Sequence, residues 1–428
     1  MFLSIGTIYM VFILVRSIGG KKAGLLAAYF TAISPFQIYH AQEIRMYVIL
    51  ELALITHIYY FVRLFFRTEP IHKKRYLVAG TILSGVAALY SHNLAIFTLI
   101  ALDIFLILQK EWKKLGWYIL WQGVMGILFL PWLAFVPGQI EKIQTAFWTP
   151  KPGLVQIIQA LITLFGTLPL DTVGTYISTI AIALLLAALA LKSKKAISKQ
   201  PEIRLILCLI FIPPVLLFIA SWMMRPVFVP RAFIVSGVMI YSFAGIILSD
   251  AMKAPGVKVG ESKPNIASNS LSMFGIGLLV LIPMISLPYQ YTYNSFPRSE
   301  HRKLMEIVGT DCITDCVIVH DNKLSYFPSI IYDDQPDQVF IADDAGSHND
   351  TLAPATQKAM DIFAKEDIQE AVDEAREIRF VVYSKAILEY KQAGIDTHPK
   401  IKWLNDHYKF VDRTVIGDLE IFDFIKPE

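Results

Sequence analysis

GGKKAGLLAAYFTAISPFQIYHAQEIRMY, residues 19–47, carries both sides of a membrane crossing in one stretch. Two lysines follow a Gly-Gly pair, and an apolar run then extends from about 23 to 39. His40, Glu43 and Arg45 crowd the far boundary before a second apolar run opens at about 46. A spanning helix needs ~20 mostly apolar residues, and positive charge gathers in cytoplasmic loops. Lys21 and Lys22 therefore mark the cytoplasmic side, and the 40–45 cluster marks the opposite surface.

The same alternation continues along the chain. Apolar runs lie at about 2–15, 23–39, 46–66, 76–90, 93–108, 115–136, 173–191, 203–221, 232–249 and 272–289. Alternate loops between them hold 19 basic residues, against five in the opposite set (Arg45, Lys142, Lys151, Arg225 and Arg231). The pattern predicts a polytopic α-helical membrane protein of about ten spans. The run 154–168, with two Gln, reads as an interfacial or re-entrant helix. This parity places both termini outside the cytoplasm. Because Met1 opens almost directly on an apolar run, an upstream helix and its loop are expected to be missing.

Composition agrees with this reading. Of 428 residues, 55% are hydrophobic and 18% charged, and mean hydropathy is +0.50. That excludes an ordinary cytosolic enzyme, a disordered chain and a coiled coil. The net charge of +3 conceals a split: residues 1–289 carry 24 Lys+Arg and 10 Asp+Glu, residues 290–428 carry 15 and 26. Two domains follow, a membrane domain over 1–290 and a small soluble α/β domain over 291–428, outside the cytoplasm. In the tail, CVIVH (316–320), QVFIA (338–342) and RFVVYS (379–384) read as strands, 355–377 as helical, and 409–424 as a hairpin around Gly417-Asp418. Cys312 and Cys316 could form one bridge; two free thiols is the preferred reading. Asn349-Asp350-Thr351 is a glycosylation sequon.

No Gly-rich phosphate loop, HExxH, CxxC or GxSxG motif is present, and nothing points to nucleic acid. The unusual residues sit instead at the outer boundary. His40, Glu43 and Arg45 are ionisable groups at membrane depth, where charge is costly and often functional. His92 sits in a short connection between spans. Pro131, Trp132, Trp148 and Pro150 could be interfacial belt residues or a stacking surface for a sugar or isoprenoid. Arg225 and Arg231 run against the positive-inside bias, and a guanidinium there suits a lipid phosphate. Glu51, Asp103 and Asp171 read as satisfied carboxylates, with Glu51 able to face a cavity. Outer acidic residues could bind a divalent cation weakly.

The string 19–47 resembles membrane glycosyltransferases of the GT-C fold. It is most similar to bacterial and archaeal relatives of the dolichyl-phosphate-mannose protein mannosyltransferases, glycosyltransferase family 39. The matching residues are Ser34-Pro35, Tyr39, Gln42-Glu43, Arg45 and Tyr47, with Tyr90-Ser91-His92, Leu130-Pro131-Trp132 and Pro230-Arg231 as further matches. The resemblance implies transfer of a sugar, of hexosyl or mannosyl type, from a polyprenyl-phosphate donor to an acceptor at the outer face; protein, lipid and polysaccharide acceptors all stay open. It implies Glu43 for acceptor or cation binding, Arg231, Arg45 and His92 for the lipid phosphate, and Tyr47, Trp132 and Trp148 for the sugar or lipid groove. The family's main catalytic aspartate lies in a loop expected upstream of Met1. A catalytically inactive membrane scaffold and a lipid or sugar transporter are the competing readings.

Overall fold

The computed structural model describes residues 2–43, 45–138, 151–166, 172–223, 226–249, 266–309, 315–332, 338–343, 354–373 and 375–427. Trp148, Arg225, Asp171, Cys312 and the sequon at 349–351 lie outside them. The chain divides into two compact units, Met1–Tyr291 and Thr292–Glu428.

The first unit is helical. Its helices are α1 (Phe2–Gly19), α2 (Lys21–Ile33), α3 (Pro35–Gln42), α4 (Tyr47–Phe66), α5 (Ile71–Ser91), α6 (Ala95–Leu108) and α7 (Trp112–Leu133). They continue with α8 (Leu154–Phe165), α9 (Thr172–Lys199), α10 (Pro201–Met223), α11 (Ile234–Leu248), preceded by a 3-10 turn at Pro230–Phe233, and α12 (Ile266–Thr292). Each of the ten apolar runs is helical over most of its length, but among the described residues only seven helices are long and apolar enough to cross a membrane. The other three have visible causes. α2 and α6 have 13 and 14 residues. α5 has 21, but its first turn carries His72, Lys73, Lys74 and Arg75. The run 23–39 is not one helix either: Ser34 takes an extended backbone before Pro35, because proline crowds the helical conformation of its predecessor. The chain restarts as the short α3, with Ser34 Oγ accepting from Gln37 N. α8, at 12 residues, is likewise too short to cross.

Contacts between helix ends agree with the loop parity. Arg67, after α4, donates to Glu202 at the start of α10 (2.7 Å) and to the Ser17 carbonyl in α1. Arg204 donates to Gln109, after α6 (2.9 Å). The basic ends assigned to one membrane face are thus tied together.

The centre of the bundle is α11, buried at all 15 residues. It approaches α2 through small residues, as helices in lipid commonly do. A Cβ placed on Gly245 would lie 2.8 Å from both Ala23 O and Ala27 N. Polar side chains tie other helices. His57 Nδ1–H donates to Thr81 O (2.9 Å), which leaves Nε2 to accept from the Tyr118 hydroxyl (2.8 Å). This joins α4, α5 and α7. Gln122 donates to Asp103 (2.9 Å), linking α7 to α6.

The second unit is built on one sheet. Its elements are α13 (His301–Val308), β1 (Cys316–His320), α14 (Lys323–Ser329), β2 (Gln338–Phe340), α15 (Pro354–Met360), α16 (Ile368–Val372), β3 (Glu377–Tyr383), α17 (Ser384–Gln392), α18 (Pro399–His407), β4 (Lys409–Ile416) and β5 (Leu419–Ile425). The strand order is β2-β1-β3-β5-β4, with the first three parallel and the last two pairings antiparallel. The expected hairpin forms, with Gly417 at φ 60° in its turn. The expectation of free tail thiols is corrected at Cys316, which is disulfide-bonded; Cys208 is free.

Candidate functional site

The residues singled out at the outer boundary fall on the ends of α3, α4, α5 and the 3-10 turn before α11. α3 presents His40 on its buried side and hands the chain to Glu43, its C-cap. His40 Nδ1 lies 2.9 Å from Glu43 Oε2. The imidazole is boxed edge-on by Phe36 (4.5 Å), Tyr39 (5.2 Å) and Tyr47 (5.3 Å). Tyr47, the first residue of α4, is buried and stacks on His92, with centroids 6.0 Å apart and planes at 28°. His92 lies within electrostatic reach of Arg231.

His92 caps the C-terminus of α5, where its backbone N–H donates to Ala88 O. Its Nδ1 accepts from Leu94 N (3.1 Å). Burial, and then the positive charge of Arg231, push the His92 pKa below the ordinary imidazole value. The ring is therefore neutral near pH 7 with its proton on Nε2. Arg231 supplies the cation, and its turn is opened by Pro230 at the first position. A guanidinium beside an N–H donor suits a phosphate.

Glu43 is set differently. Partial burial pushes its pKa up. The hydrogen bond and charge of His40, the Arg45 cation and a hydrogen bond from Tyr39 outweigh burial, and the carboxyl is held below its ordinary value. A carboxylate so held is a weak proton acceptor. It is suited to orienting a hydroxyl or holding a cation.

Five of the seven expected site residues thus gather in one cluster: Glu43, Arg45, Tyr47, His92 and Arg231. Trp132 packs instead on Tyr90 (6.2 Å) and Phe135 (5.6 Å), and Trp148 is outside the described residues. Among the described residues no group of three or more His, Cys, Asp and Glu is placed to hold a metal ion. His40, expected in the boundary cluster but without a specific role, joins Glu43 to Tyr47. Its i,i+3 spacing to Glu43 was the available signal. Gln37 was not singled out at all; it lies one turn before His40.

No family model matches the sequence, and no curated protein does. Solved structures do. The chain is similar to ArnT from Cupriavidus metallidurans in the apo state and to the same protein bound to undecaprenyl phosphate. Each matches at 11% identity and a TM-score of 0.58, over 99% of this chain and 82% of that chain. At this identity the likeness shows the fold: a GT-C-type membrane protein with a small C-terminal sheet domain.

Proposed function

We propose that the protein transfers a sugar from a polyprenyl-phosphate donor to an acceptor at the outer face of the membrane. The observation that carries this is the run of contacts from the Glu43–His40 pair through Tyr47 to His92, with Arg231 in electrostatic reach of His92. Support comes from the fold shared with ArnT, one structure of which holds undecaprenyl phosphate.

In the proposed reaction an acceptor oxygen attacks the anomeric carbon. The bond from that carbon to the phosphate oxygen breaks, polyprenyl phosphate leaves with the electron pair, and the proton of the acceptor hydroxyl passes to the released phosphate or to water. Arg231 and the His92 N–H stabilise the charge that builds on the phosphate, and such fixed donors are a large part of catalysis in a site shielded from water. Glu43 orients the acceptor hydroxyl or a cation, and Arg45 reinforces its charge. Tyr47 and Trp132 line the sugar or lipid path, with Trp148 assigned there by sequence alone. A donor sugar of mannosyl type rests on the resemblance of residues 19–47. The sheet domain is assigned to the extracytoplasmic side by loop charge.

The test is transfer by the full chain in liposomes from radiolabelled undecaprenyl-phosphate hexoses, mannose included, to a membrane extract as acceptor. Label is expected to leave the lipid in a protein-dependent manner. Label that stays on the lipid for every sugar tried overturns the reading.

A further inference from the structure

Beneath the contact between His40 and Tyr47 lies a second pair. Gln37 is three residues before His40 on α3, and Glu51 is four after Tyr47 on α4. Both steps move away from the connection between the helices and stay on one helical face. Gln37 and Glu51 therefore form the next layer, about 5 Å deeper at 1.5 Å per residue. That is close to the span of one pyranose ring.

The layer is buried and incompletely bonded. Gln37 is 8% exposed and Glu51 5%. The Gln37 side chain lies against the Glu51 carboxylate and interacts with it, yet Gln37 Nε2 and Glu51 Oε1 complete no hydrogen bond of good geometry. On the α11 side of the amide lies Gly237, where a Cβ would stand 3.8 Å from Gln37 Nε2. Buried polar groups are almost always satisfied, and each exception calls for a cause. Here one atom is a donor and the other an acceptor, on side chains that lie against each other. A hydroxyl satisfies both, donating to the carboxylate and accepting from the amide.

We propose that Gln37 and Glu51 form a hydroxyl-reading subsite for the sugar of the donor. This rests on the transferase reading above. With the phosphate held at Arg231 and His92, the attached ring is the part of the donor that reaches one layer further. A site built to bond a buried hydroxyl discriminates strongly against an analogue lacking it, because its own polar groups are then left unpaired.

The experiment measures binding by the full chain in nanodiscs. The probes are undecaprenyl phosphate, undecaprenyl-phosphate mannose and the single-deoxy analogues of that mannose. Wild type is expected to bind one deoxy analogue at least ~10-fold more weakly than the parent. Glu51→Gln and Gln37→Leu are each expected to erase that difference, while undecaprenyl phosphate binds all three proteins alike. A deoxy penalty that survives in both variants, or no penalty in wild type, overturns the subsite and leaves a buried water as the occupant of the layer. Loss of undecaprenyl phosphate binding in both variants also overturns it, in favour of a packing role. Sugar-independent binding in wild type defeats the subsite alone; binding of no probe defeats the transferase reading with it.

Discussion

The imidazole of His92 lies nearly parallel to the ring of Tyr47, at 6.0 Å and 28°. The two belong to different helices, and their stacking joins the carboxylate side of the candidate site to the cationic side. Tyr47 reaches Glu43 through His40, and His92 feels Arg231.

Arg231 is expected to dominate affinity for the lipid phosphate. Hydrogen bonds to charged groups contribute about 1.5–3 kcal/mol, or roughly 10- to 150-fold. Arg231→Ala should weaken undecaprenyl phosphate binding within that range, and Arg231→Lys should recover part of it. Equal affinity in the alanine variant would remove Arg231 from the site.

Glu43 should govern the acid side of the activity profile. Its pKa is depressed in the folded state, so its favourable pairing is complete above the ordinary carboxylate range and is lost as pH falls through the folded value. His40→Phe removes the strongest opposing partner, and the acid limb of transfer should move to higher pH. Glu43→Gln should lower transfer by about 100-fold, the cost of a mispositioned reactant. An unmoved acid limb in His40→Phe would separate the pair from function.

Tyr118→Phe should destabilise the membrane unit without touching the site. It leaves His57 Nε2 buried and unpaired, a loss of about 1–2 kcal/mol for such bonds between membrane helices. Thermal unfolding in detergent should shift down by a few degrees, with undecaprenyl phosphate affinity preserved.

The sheet domain should lose stability in acid through His320. This side chain is fully buried. Desolvation, with the charge of His301 added, pushes its pKa down to about 3 against the pull of Gln338. The unfolded chain takes up that proton near the ordinary imidazole value of 6.5. Stability contributed by neutral His320 is complete above that pH and declines as pH falls from 6.5 toward 3. Hydrogen exchange at β1 and β3 should accelerate over that window, and His320→Leu should flatten the response.

Much of this was legible in the residues. Apolar runs and loop charges placed the helices, because lipid forces every backbone group into internal bonds and leaves a long hydrophobic signature. Strand β1 was read at its true limits, since CVIVH is buried on both faces and so runs apolar without alternation. The break at Ser34-Pro35 is hidden in a hydropathy reading, where a preference at one residue cannot outweigh the mostly apolar run 23–39, while in the structure it creates α3. The Glu43, Arg45, His92 and Arg231 cluster could be nominated from charge at the wrong depth. Its internal order could not, because the contacts of His40 and Tyr47 depend on a kink that periodicity does not carry. Gln37 was invisible for the same reason.

α11 has no face for lipid, since all its residues are buried. The elements it packs against most, α2, α10, α1, α9 and α4, all precede it in the chain. During synthesis its walls are therefore already made when it emerges, and it enters as the keystone of a nearly finished arch. The closely fitted surfaces around Gly245 act late in assembly, so an enlarged residue there would trap a chain whose earlier helices had inserted correctly.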